Sequence, residues 1–128
     1  MLFRSNERML AWSRELRAAG IRTAILSNMP QPLLDLMRAD PGFDWLREFD
    51  VLLFSCEVRL VKPEAGIYRR LLALLAVEPA HCVFLDDNAG NAAAARAVGI
   101  QGFHCRSDED AARAAESLGL PGEALRGL

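Results

Sequence analysis

Cysteine is scarce and ill-placed for cross-linking or metal chemistry. Cys56, Cys82 and Cys105 are odd in number, far apart and outside any C-x-x-C pair. Neither a disulfide framework nor a zinc site is expected, and a reducing cytoplasm fits best. Charge of one sign is also lacking: 15 Lys+Arg stand against 17 Asp+Glu, a formal net charge of −2. With the basic residues scattered along the chain, nucleic acid is not an expected partner. The first residues hold no uninterrupted apolar core, because charges recur at Arg4, Glu7, Arg8, Arg14, Glu15 and Arg17, so no export signal is expected. Apolar stretches such as Leu71 to Val77 fall well short of the roughly 20 residues of a spanning helix, which excludes a membrane partner from the reading. No internal repeat, low-complexity linker or G-x-G-x-x-G loop occurs.

What is present reads as alternating helices and strands. The 128 residues suffice for one domain with one core, with Gly119 to Leu128 expected as a loosely ordered tail. Met9, Trp12, Leu16 and Ala19 recur at helical spacing, and Gly20 follows where a left-handed cap would sit, predicting a helix from about Asn6 to Ala19. Ile21 to Leu26 is a short β-prone run ending in Ser-Asn-Met-Pro, a strand that opens into a polar loop. Residues 31 to 48 predict a helix, a Pro41-Gly42 break and a short helical turn. Val51 to Phe54 is a second strand, and Ser55 to Val61 a loop delivering Lys62 before Pro63. The amphipathic run Pro63 to Ala76 predicts a crossover helix with Ile67, Leu71, Leu74 and Leu75 inward. Cys82 to Leu85 is a third strand leading into Asp86-Asp87, and the small residues Ala89 to Val98 a helix that can pack closely on a sheet. Ile100 to His104 is a fourth strand, and Ser107 to Leu118 a last helix capped by Ser107 or Asp108. Strands that lack a polar face and alternate with helices predict an α/β fold with a parallel sheet covered on both sides.

Three polar groups stand where strands end or helices begin, the place where open α/β sheets put their ligands: Ser27-Asn28, Lys62, and Asp86-Asp87 with Asn91. A hydroxyl and nearby backbone N–H groups can hold phosphoryl oxygens, a lysine can neutralise them, and a carboxylate pair can hold Mg²⁺. Taken singly, each has a plainer reading. Ser27-Asn28 suits any turn, and Lys62 any surface. Asp86-Asp87 is harder to dismiss, because adjacent carboxylates after a buried run repel each other and need a cation or strong donors. His81 and His104 flank strands separately and read as structural or surface residues, and the run Asp108-Glu109-Asp110 reads as helix capping.

The phrases ILSNMP, FSCEVRLVKPEAGIY and VFLDDNAGNAAAARAVGI, in that order, resemble the haloacid dehalogenase superfamily. The likeness is to its phosphatase-like branch, which includes the N-terminal domain of soluble epoxide hydrolases, and it runs from about Met9 to Ser107. The resemblance implies a three-layer, Rossmann-like core and Mg²⁺-dependent hydrolysis of a phosphate monoester, with a small phosphorylated metabolite as substrate. By that resemblance Ser27 and Asn28 bind phosphate. Lys62 also binds phosphate and is catalytic, stabilising a phosphorylated intermediate. Asp87 ligates magnesium beside Asp86, and Asn91 supports them. One departure stands out. The family begins with a strand ending in D-x-D, whose first aspartate attacks phosphorus, whereas here no aspartate precedes Asp35. The first strand and the cap are therefore read as missing, and turnover by these residues alone is expected to be slight. In the family that strand lies between those ending at Ser27 and Asp87, so a gap is expected there, to be filled by repacking, a partner chain or a second copy. A non-catalytic module that binds Mg²⁺ and phosphate, or a protein partner, is the competing reading.

Overall fold

In the computed structural model, residues 7–126 are described. Helix α1 (Glu7–Ala18) leads to strand β1 (Ala24–Ser27), helix α2 (Gln31–Ala39) and a 3-10 segment, Pro41–Glu48. Strand β2 (Val51–Phe54) runs directly into the one-turn helix α3 (Ser55–Val58), and then come α4 (Ala65–Leu75), β3 (Val83–Asp86) and α5 (Ala89–Ala97). Strand β4 (Gln101–His104) and helix α6 (Asp108–Leu118) complete the core, followed by a 3-10 turn at Glu123–Arg126. Every strand pair is parallel, but the sheet is in two halves: β1 pairs with β2 and β3 with β4. No hydrogen-bonded ladder joins β1 to β3 among the described residues.

One apolar cluster nonetheless runs under both halves. Leu53 of β2, Phe84 of β3 and Ile67, Tyr68 and Leu71 of α4 share it with Ala95 of α5, and Ala24 and Leu26 of β1 pack against it. On the opposite face the core divides. Leu34, Met37 and Leu46 cover β1 and β2 through Ile25, Leu52 and Phe54. Trp12, Leu16, Ala111 and Ala115 of α1 and α6 meet Leu85 of β3. The result is a three-layer α/β arrangement with α4 and α5 on the shared face. All four residues of β1 are only half-buried, which is unusual for a parallel strand between two helical layers.

Several boundaries differ from the sequence reading, each for a local reason. Residues 21–23 are not strand: the Ile21 N–H bonds back to Leu16 O, and the Thr23 N–H goes to the Asp50 carboxylate instead of a strand partner. The loop after β2 contains the turn of helix α3, closed by Arg59 in the left-handed region (φ 57°). Helix α4 begins at Ala65, since residues 62–64 form a turn. Residues 119–126, expected to be loose, are instead packed. Leu125 is buried with Trp12, the Trp12 indole N–H donates to Pro121 O at 2.7 Å, and Glu15 accepts from the Glu123 and Ala124 amides. Residues 1–6, which include the expected helix start at Asn6, and 127–128 lie outside the described residues.

Candidate active site

The carboxyl end of β3 delivers Asp86 into a bend, and α5 starts three residues later. Asn88 is the cap residue: its side-chain oxygen accepts from the Asn91 N–H at 2.9 Å, and its own N–H donates to Asp86 Oδ1 at 2.8 Å. The first turn of α5 therefore carries Asn91 back over the strand end, where Asn91 Nδ2 donates to Asp86 Oδ2 at 3.2 Å. From the far side comes Lys62, whose ammonium donates to the same oxygen at 2.7 Å. Both side chains are shielded, Lys62 12% and Asp86 6% accessible.

A shielded ion pair costs desolvation on both sides unless hydrogen bonds complete it. Asp86 meets that condition with three donors. Burial pushes its carboxyl upward, but the Lys62 ammonium, the Asn88 N–H and the Asn91 amide outweigh burial and hold it below the usual aspartate range. Asp86 is thus the fixed anion of the site. Lys62 Nζ also lies 5.8 Å from the centre of the Phe84 ring, and Asp86 takes only one of its three N–H donors. Among the described residues the other two have no hydrogen-bond partner.

Beneath the pair, Tyr68 of α4 is buried edge-on against Phe84, and its hydroxyl donates to Asn91 O at 2.9 Å. Burial first, and the nearby Asp86 charge second, push the phenol up to about 12, so it stays a neutral donor. On the β1 side, Asn28 reaches the Lys62 backbone with both ends of its amide. Oδ1 accepts from the Lys62 N–H at 2.8 Å, and Nδ2 donates to Lys62 O at 3.0 Å. The Lys62 segment is therefore tied by its backbone to the exit of β1 and by its side chain to the exit of β3, bridging the two half-sheets where both strands end. Ser55, buried at the start of α3, makes a second tie: its hydroxyl accepts from the Met29 N–H at 2.8 Å.

The structure thus brings Lys62, Asp86 and Asn91 into one cluster and links Asn28 to it, with Ser27 as its half-buried chain neighbour. Asp87 lies apart from the cluster. It is exposed at the end of β3, and its backbone oxygen, not its carboxylate, contacts His104 Nε2 at 3.0 Å. No described side chain engages that carboxylate. Magnesium needs one or two carboxylates with waters and phosphate oxygens, and Asp87 suits that demand, whereas Asp86 is already committed to three donors. No group of three or more His, Cys, Asp or Glu that could cage a metal occurs among the described residues.

Other polar features have structural partners. Ser107 caps α6 by accepting from the Asp110 N–H, and Asp110 accepts from the Arg106 N–H. The three thiols are free, and burial pushes those of Cys82 and Cys105 up, away from reactivity.

Sequence reading missed Asn88, Tyr68 and Ser55. Asn88 carried a usable signal, an Asn directly before a helical run. Tyr68 read only as part of an amphipathic helix and Ser55 only as loop, because their partners lie 23 and 26 residues away. A further signal went unused: Lys62 is the single lysine of the chain, all other basic residues being arginine.

Residues 7–99 match the model of the haloacid dehalogenase-like hydrolases. The chain is 31% identical over 101 residues to the sesquiterpene phosphatase astK of Aspergillus oryzae, covering 79% of this chain and 50% of that protein. It is 32% identical over 116 residues to bifunctional epoxide hydrolase 2 of Rattus norvegicus, covering 88% of this chain and 21% of that one. Among solved structures, an uncharacterized protein from Corynebacterium glutamicum superposes with a TM-score of 0.73 at 25% identity, over 95% of this chain and 90% of that one. The chain spans half or less of the length of the two curated relatives.

Proposed function

The chain belongs to the haloacid dehalogenase-like hydrolases, and on that footing we propose that it carries the phosphate-binding part of a Mg²⁺-dependent phosphate-monoester phosphatase. The observation that supports this best is Lys62, held between the exits of β1 and β3 with two ammonium N–H groups unspent. Lys62 offsets charge on a phosphoryl group that Ser27 helps to seat. Asp86 keeps the ammonium in place, and Asn91 fixes Asp86. Bound Mg²⁺ would neutralise phosphoryl oxygens, with Asp87 as the residue to hold it and Asp86, spent on Lys62, Asn88 and Asn91, beside it.

None of these residues is set to attack phosphorus. Asp86 is held in its ion pair and Asp87 is assigned to the metal, so in this reading the attack on phosphorus falls to a carboxylate outside this set, and slight turnover by these residues alone is expected. The substrate is a small phosphorylated metabolite. Near-neutral charge speaks against nucleic acid, and no described helix is long and apolar enough to cross a membrane. Three free thiols favour a cytoplasmic setting.

The two half-sheets favour a second reading, a module that takes up a partner strand between β1 and β3, from another chain or a second copy. One assay separates the readings: aryl phosphate hydrolysis with Mg²⁺, alongside Lys62→Ala and Asp87→Asn. We expect no turnover above the two variants. Adding a polypeptide whose strand ends in D-x-D should then produce turnover that both substitutions abolish. Activity of the chain alone, lost in both variants, would show that the nucleophile is already present. Failure of the added strand to rescue would leave the binding module.

A further inference from the structure

Residues 59–64 form neither helix nor strand, yet they must hold an ammonium at 2.7 Å from one carboxylate oxygen. A lysine side chain has four rotatable bonds, so its tip is placed only if the backbone beneath it is fixed. Most backbone hydrogen bonds of this segment are local: Arg59 N–H to Ser55 O, Val61 N–H to the Glu64 carboxylate, and Glu64 N–H to Val61 O. Among the described residues, its backbone bonds to a distant part of the chain only through Asn28, 34 residues away.

The form of that tie is specific. A side-chain amide offers the same donor and acceptor as a peptide unit, and here both ends pair with the N–H and C=O of one residue. Two bonds to one residue fix direction as well as position, as a rung of a β-ladder does. They also settle which end of the amide is oxygen, since the reversed orientation would set like against like at both contacts.

We propose that Asn28 is a positioning residue for Lys62: its amide is spent on the Lys62 backbone and thereby places the ammonium between the exits of the two half-sheets. This replaces phosphate contact as the main duty of Asn28, and it rests on the phosphatase reading only for what Lys62 does once placed. Asn28 acts through Lys62, so its removal misplaces the lysine even when no ligand is present.

The single lysine makes this directly testable. In the full chain labelled with ¹⁵N-lysine, Lys62 gives one backbone N–H signal and one side-chain ammonium signal. Spectra are recorded without metal or phosphate. We expect the native N–H to be protected from solvent exchange and the ammonium to be visible, because Asp86 slows its exchange with water. Asn28→Ala should speed exchange of the N–H by about tenfold or more and lose the ammonium signal, while the remaining amide spectrum keeps its dispersion. A folded Asn28→Ala chain with an unchanged ammonium signal would overturn the proposal. So would a native Lys62 N–H that exchanges as fast as an unbonded loop amide, a result that needs no variant to fold. Failure of the phosphatase reading would leave both signals as expected, so the two failures are distinguishable.

Discussion

Tyr68 is the chain's single tyrosine, so its ionisation can be followed alone by tyrosinate absorbance. The native phenol should titrate at about 12, against about 10 in the denatured chain. A native pKa above the unfolded one means that the stability tied to the neutral phenol is intact below pH 10. It is lost as pH rises from there through the native value. Tyr68→Phe should remove that alkaline loss, and a native transition near 10 would mean the ring is not held as described. Lys62 and Asp86 make a second residue-scale case. Lys62→Met should destabilise the chain by about 3 kcal/mol, the lower end for breaking a buried pair, since Asp86 keeps two other donors. Combining it with Asp86→Asn should cost clearly less than the sum of the single changes in urea melts. Additive costs would deny the pair. Asp86 was legible in the sequence because it ends a strand of plain apolar character, and Lys62 because it stands before Pro63 in the segment that follows another. The duties of Asn28, Tyr68 and Ser55 were not, since each depends on a partner at least 23 residues away, and nothing local in a sequence encodes such a meeting.

At the scale of elements, the small-residue helix α5 owes its position to Gly102 in β4. A Cβ there would come within 2.5 Å of Ala92 O, a backbone atom that cannot swing aside. Gly102→Ala should therefore destabilise by about 1–3 kcal/mol through overpacking, read as a lower urea midpoint at unchanged slope. Ala76 gives a change of opposite sign. It ends α4 in the left-handed region at φ 53°, exposed, where glycine is the usual residue. Ala76→Gly should raise stability by up to about 1 kcal/mol, and a lower midpoint would mean the helix does not end this way. Helix periodicity found α1, α4, α5 and α6 within a few residues. Strand starts were less legible, because Ile21 to Thr23 have β-prone composition while the Ile21 and Thr23 N–H groups donate to a helix end and to the Asp50 carboxylate. Apolar composition alone does not tell a strand from the lead-in to one.

Across the whole molecule, the sheet divides where the family resemblance led us to expect a gap, a feature that composition alone could not show. Its basis lies in pairing: among the described residues β1 and β3 each have one strand partner, yet the shared cluster on α4 holds both halves to one core. In a parallel strand alternate residues direct their N–H and C=O to opposite sides, so about half of the amides in β1 and β3 do not face their partner strand. An unpaired edge is tolerable when water reaches it and costly when it is dry, and the half-buried state of β1 agrees with an edge that water reaches. Amide exchange on the dilute chain should therefore divide each of these strands, with partner-facing amides protected and the others exchanging freely. A chain that supplies a strand in trans should protect the second set in β1 and β3 together, because one strand between them would bond to both. Protection of all these amides at the lowest concentrations, in a chain that sediments as a monomer, would mean that the edges are satisfied from within and that no slot exists. Protection that rises with concentration would instead identify a second copy as the occupant.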